Sequence, residues 1–245
     1  MKERPILFSP AMVKAILDSR KTQTRRPVMP QPGAVVDAKA FKGGGGFIDS
    51  TVGDKDPLVK CPYGRAGDRL WVKERHCYLD VAKKPRNDFK GARDEWDLVV
   101  EYSDGTELAR VAWDNRPGPY QGPSRPKQTR DRGELKWRPS IFMHRWASRL
   151  TLEITAIRVE LVQQISEKEV FAEGIQIPVD SETKRPLLQL TGRFPPSAYL
   201  CKATIHDPAA FVRAHYASLW DSLNATRGYS WQTNPWVWVV EFKLA

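Results

Sequence analysis

Ser19-Arg20-Lys21-Thr22-Gln23-Thr24-Arg25-Arg26 is the stretch on which the reading turns. Four of its eight residues are cationic, and strong local signals bound it on both sides. Upstream, Ile6-Leu7-Phe8 is a short apolar strand signal. Ser9 then stands where a helix N-cap belongs, with Pro10 at the first helical position. Met12, Val13, Ile16 and Leu17 recur on one helical face, and the helix should end near Ser19. Downstream, Pro27, Pro30 and Pro32 exclude a helix. The stretch is therefore a loop or short extended segment that carries Lys21 and Thr24 just past a helix end.

Working outward, residues 33–60 read as an insertion, and the Gly43–Gly46 run predicts a mobile loop. Tyr63 to Asp68 is turn chemistry, and Arg69 to Glu74 alternates as a strand. Leu98 to Tyr102 predicts another strand. Residues 114–136 are rich in Pro, Gly, Arg and Lys without apolar period, which predicts a long loop or lid. Leu150, Leu152 and Ile154 alternate; Ile157, Val159 and Leu161 alternate again after a shift. Ile165 to Glu169 is a capped helix start, with Gly174 as its stop. Pro208 to Leu223 predicts an amphipathic helix, and Trp236 to Phe242 a closing strand. This order suits an α+β fold in one domain over residues 1–245. A small mixed β-barrel, closed by the C-terminal strand and flanked by helices, is the expected form. Long loop insertions are expected at about 28–60 and 76–136.

The 245 residues carry a net charge of +10. Arg110 to Arg149 holds ten Lys/Arg against three acids, and Met1 to Pro30 holds seven against two. Positive charge gathered in segments suits a polyanion. A nucleoside or nucleic acid is the expected partner, RNA favoured. Arg25, Arg26, Arg138 and Arg145 are the cationic candidates for phosphate, since arginine binds phosphate bidentately. Trp137 and Trp146 are the candidates for base stacking, although alternation assigns most of the nine tryptophans to the core. Cys61, Cys77 and Cys201 are far apart and the four histidines scattered, so neither a disulfide framework nor a metal site is expected. No P-loop, G-x-G-x-x-G, zinc-deaminase or G-x-S-x-G pattern is present, and no cofactor is expected. No apolar run nears the ~20 residues of a membrane span. The apolar stretch near Met1 is short for a signal peptide, so a cytoplasmic protein is expected.

The Lys21-x-x-Thr24-x-Arg26 spacing resembles the signature of the ASCH family, a branch of the PUA-like superfamily, with Ser19 where that family usually has glycine. Gly67-Asp68-Arg69-Leu70-Trp71-Val72 looks like its G-D-x-L-x-V strand. Ile165 through Gly174 looks like the helix that ends in an acidic residue at the cleft, and Trp236 to Lys243 like its closing strand. Trp137-Arg138-Pro139-Ser140 and Asn234-Pro235-Trp236 resemble prophage-encoded members. The pieces run in family order along the chain, with residues 28–60 and 76–136 outside them.

The resemblance implies a catalytic set of Lys21, Thr24 and Glu173, because small bacterial members include an amidohydrolase acting on N4-acetylcytidine. In that reading Thr24 supplies the hydroxyl nucleophile, and Glu173 protonates the leaving nitrogen or holds it in place. Lys21, buried beside Arg25 or Arg26, has its pKa lowered from ~10.4 toward about 7–8 and acts as base. Arg26 or backbone N–H groups hold the oxyanion. Bare of the resemblance, the same run is a solvated basic helix end. Two other functions remain open: a non-catalytic reader of RNA or modified nucleic acid, and a ribonuclease.

Overall fold

The computed structural model describes residues 1–33, 35–36, 46–49, 58–82, 96–103, 107–113, 137–176 and 208–245. In chain order these form β1 (Glu3–Leu7), α1 (Pro10–Leu17), β2 (Gln23–Pro27), β3 (Val35–Val36), β4 (Gly46–Asp49) and β5 (Leu58–Lys60). Then follow β6 (Arg69–Lys73), β7 (His76–Ala82), β8 (Trp96–Tyr102), β9 (Glu107–Trp113) and β10 (Thr151–Leu161). α2 (Glu167–Ala172), α3 (Pro208–Asn224) and β11 (Trp236–Leu244) complete the set. Single turns of 3-10 helix at Ser140–Phe142 and Arg145–Ala147 fill part of the Trp137–Ala147 segment.

The protein is α+β. Its main sheet has five strands in the order β1-β6-β10-β11-β2. The Arg69 N–H donates to Lys2 O and the Phe8 N–H to Lys73 O, so β1 and β6 run parallel. β10–β11 and β11–β2 are antiparallel, which makes the sheet mixed. The C-terminal strand lies inside this sheet, and the ladders of the described residues do not close β1 onto β2. Two antiparallel three-stranded sheets, β3-β4-β5 and β7-β8-β9, occupy the segments expected to be loop insertions. Gly46, read as part of a mobile run, opens β4 and pairs with Lys60. The 114–136 loop and the rest of the glycine run lie outside the described residues.

The chain divides into two compact units. Unit 1 comprises Met1–Arg4, Ala15–Leu70 and Leu152–Ala245, and unit 2 comprises Pro5–Lys14 and Trp71–Thr151.

In unit 1 the shift inside β10 is a β-bulge. Ile154 faces Phe242 and Ala156 faces Glu241, leaving Thr155 as the extra residue. Residues opposite one another share a face. Leu152, Ile154, Ile157 and Val159 thus stay on one face with Val240 and Phe242 across the bulge. Without the bulge, the apolar set after Thr155 would point the other way. The second face carries Arg158 and Glu160 of β10, Val237, Val239 and Glu241 of β11, and Gln23 and Arg25 of β2. Val237 and Val239 cluster there with Val162, Ile165, Val170, Phe211, Val212, Tyr216 and Trp220. In unit 2, Val100, Tyr102, Met143 and Ala147 form a smaller buried cluster.

Candidate functional site

The site is built where β2, α2 and the C-terminal end of α1 meet in unit 1. α1 ends in a left-handed residue, Ser19 at φ 56°. The Arg20 and Lys21 N–H groups both donate to Ala15 O, which turns the chain sharply into the strand. α2 begins with a capping box: the Glu169 N–H donates to Ser166 Oγ and the Ser166 N–H to Glu169 Oε2. It stops at Gly174, φ 87°, whose N–H donates to Phe171 O. A Cβ at Gly174 would lie 2.9 Å from both Ala15 Cβ and Lys21 Cβ, so only glycine admits this approach. Lys21 and Glu173 then pair as an isolated antiparallel bridge, and the Thr22 N–H donates to Ala172 O.

This brings two of the expected residues into contact. Lys21 Nζ lies 2.7 Å from Glu173 Oε2 and donates also to Glu173 O at 2.9 Å. Both are buried, Lys21 at 2% and Glu173 at 8% exposure. The ammonium thereby caps the negative end of α2 as well as pairing with its last carboxylate. Burial pulls the Lys21 pKa below its ordinary value; Glu173 opposes this, and Arg26 and Arg25 add to it.

Thr24 is buried too, but the ladder pairs it with Val240. Strand alternation thus sets Thr24 and Arg26 on the face opposite Gln23 and Arg25. The sequence assigns Arg25 to phosphate; in the structure it is turned to carboxylates instead. Its side chain is fully buried among carboxylates: Glu160 at 3.1 Å, Glu169 at 3.3 Å and Glu173 at 3.6 Å. Arg158 extends the cluster by contacting Glu160, Glu169 and Glu241. Lys21, Arg25 and Arg158 thus answer Glu160, Glu169, Glu173 and Glu241. Arg25 Nε and Nη1 and Glu173 Oε1 remain buried without a hydrogen-bond partner. Arg25 Nη1 and Glu173 Oε1 face each other at 3.6 Å as an ion pair, which leaves Arg25 Nε as the donor without an acceptor.

The remaining sequence candidates fall elsewhere. Trp137, Arg138, Arg145 and Trp146 belong to unit 2. Arg75 sits 5.3 Å from the Trp137 ring centroid, and Arg138 sits 5.1 Å from that of Tyr78. Arg145 is exposed and donates to Thr151 Oγ1. Sequence reasoning missed Arg158, Glu160 and Glu169 as parts of the site. The signal was present in Arg158 and Glu160, two charges spaced to share one strand face opposite the apolar set.

Among the described residues no group of three His, Cys, Asp or Glu is placed to hold a metal ion, and no helix is long and apolar enough to cross a membrane. A scan against protein-family models finds no match to this chain, and searches of curated proteins and of solved structures find none either.

Proposed function

We propose that the protein is an ASCH-type, PUA-like hydrolase that cleaves an acyl amide on a modified nucleoside or nucleobase, of the N4-acetylcytidine kind, at Lys21 and Glu173. The observation that carries this reading is the buried Lys21–Glu173 pair with the lysine pKa depressed. A lysine so placed loses its proton nearer neutrality than a solvated one, and so serves as a base. Its partner carboxylate holds a proton-transfer route to the leaving nitrogen. Hydrolysis needs the nucleophile's oxygen to add to the acyl carbon and the C–N bond to break. The nitrogen takes a proton, and water then adds to the acyl ester so formed, whose C–O bond breaks to release acetate and return the hydroxyl. The family resemblance gives the nucleophile to Thr24, which strand alternation sets on the face opposite Arg25, so the Thr24→Val arm below tests that assignment separately.

The test is release of acetate and cytidine from N4-acetylcytidine by wild type, Glu173→Gln and Thr24→Val. Both replacements keep side-chain size, and because Glu173→Gln breaks a buried ion pair, thermal melts are run to confirm that each variant folds. Turnover in wild type with a loss of at least about 100-fold in Glu173→Gln supports the reading. The same loss in Thr24→Val assigns the nucleophile. Undiminished turnover in Glu173→Gln, or none in folded wild type, removes this function.

A further inference from the structure

Lys21, Gln23 and Arg25 are spaced by two, so they share one side of the chain as it enters β2. Glu169 and Glu173 are spaced by four, so they share one side of α2 and its C-terminal end. The two sides meet in unit 1. Lys21 Nζ takes Glu173 Oε2 at 2.7 Å, and Gln23 Nε2 donates to Glu169 O at 3.5 Å. Arg25 reaches both carboxylates, Glu169 Oε2 at 3.3 Å and Glu173 Oε1 at 3.6 Å.

The Glu173 carboxylate is therefore shared between two cations. One oxygen carries the Lys21 ammonium; the other faces the Arg25 guanidinium and makes no hydrogen bond. That second contact acts through charge, and the Arg25 side chain is fully buried, where screening is weak. Its charge favours the carboxylate over the carboxylic acid. It also repels the ammonium: burial is the main reason Lys21 releases its proton readily, Glu173 opposes this, and Arg26 and Arg25 add to it. Glu160 at 3.1 Å and Glu169 neutralise part of the Arg25 charge, and Arg158 and Glu241 close the network toward solvent. Tyr216 of α3, the other titratable group facing Glu173, is kept neutral by burial.

We propose that Arg25 is a positioning residue of the hydrolytic site, acting through Glu173: it holds the carboxylate charged and turned to Lys21 while the lysine gives up and regains a proton. The proposal rests on Lys21 as the base of the proposed hydrolysis. The proton passes from the nucleophile's hydroxyl to Lys21 Nζ, then to Glu173 Oε2, then to the leaving nitrogen. A carboxylate held charged by Arg25 keeps that proton only in passing, so the pair ends the cycle as it began. Arg25 touches neither substrate nor nucleophile in this arrangement.

The test is titration of Lys21 itself without substrate, by carbon NMR of its Cε in isotopically labelled protein. Wild type, Arg25→Gln, Arg25→Lys and Glu160→Gln are compared; the resonance is assigned by its loss in Lys21→Met, and thermal melts confirm the folds. Arg25→Gln should raise the midpoint by about one pH unit, the effect of losing a neighbouring cation. Glu160→Gln should lower it, because Arg25 is then less neutralised. Arg25→Lys keeps the charge and should titrate nearer wild type than Arg25→Gln does. A role confined to packing would change stability in these variants and leave the midpoint in place. The acid limb of the pH–rate profile for acetate release from N4-acetylcytidine should move in the same directions. Shifted midpoints with no turnover in wild type would overturn the hydrolysis and not the charge arrangement. One midpoint common to wild type, Arg25→Gln and Glu160→Gln overturns the proposal; if Arg25→Gln does not fold, an unmoved midpoint in Glu160→Gln overturns it alone.

Discussion

Two residues with positive φ set the geometry of the Lys21–Glu173 pair. Gly174 has no room for a side chain against Lys21 and Ala15. Gly174→Ala should cost about 2–4 kcal/mol, combining left-handed strain with overpacking, and urea titration would show it. Ser19 is the reverse case. It stands where the resembled family has glycine and holds φ 56° all the same. Ser19→Gly should relieve that strain and raise stability by up to about 1 kcal/mol; an unchanged midpoint would show the strain to be absorbed locally. The Lys21–Glu173 contact itself was foreshadowed only through family spacing. Nothing in composition or period brings residue 21 to residue 173. Thr24 shows the limit of spacing. Three residues from Lys21 suits a turn, but the chain becomes a strand at Gln23 and alternation governs the side chains.

At the scale of elements, those with strong local chemistry were legible. The capped start and glycine stop of α2, the span of α3 and the break in β10 all stood in the sequence. The bulge was visible because apolar spacing changed by one between Ile154 and Ile157. Deleting Thr155 would set the two apolar halves of β10 on opposite faces, so the variant should fail to give a cooperative melt. Ser166→Ala should cost about 1 kcal/mol in thermal unfolding through loss of the α2 cap. Of the two three-stranded sheets, only Leu98–Tyr102 of β8 was legible as a strand. Polar residues interrupt their short strands, and a glycine run masked the start of β4. The buried face of α1 also differs from expectation: Val13, Ala15 and Ile16 are buried while Leu17 is 42% exposed. Small Ala15 takes the inner position because Gly174 packs directly on it.

Across the whole molecule, acid should unfold the protein in two stages. Burial holds the His76 pKa below its ordinary value. The unfolded chain then binds this proton first, and stability falls as pH drops below about 6.5. Asp68 is held low by the Lys2 N–H, against burial, with help from Arg4. Burial raises the Glu169 pKa, but Ser166, Arg25 and Arg158 outweigh it and the net shift is downward. The stability these two carboxylates supply is complete above about pH 4.5 and is lost as pH falls through their folded values. Urea midpoints measured from pH 8 to pH 3 should show both stages, and a curve flat down to pH 5 would exclude the first. The net charge was read correctly from sequence as a sum but not in its use, since Arg25 spends its charge on Glu160, Glu169 and Glu173. One consequence concerns kinetics. The bridge between Lys21 and Glu173 ties chain positions 152 apart. Closing so long a loop is slow and rewards nothing until it is complete. During refolding, helical signal should return before Lys21 meets Glu173, so any chemistry of that pair should be the last property regained.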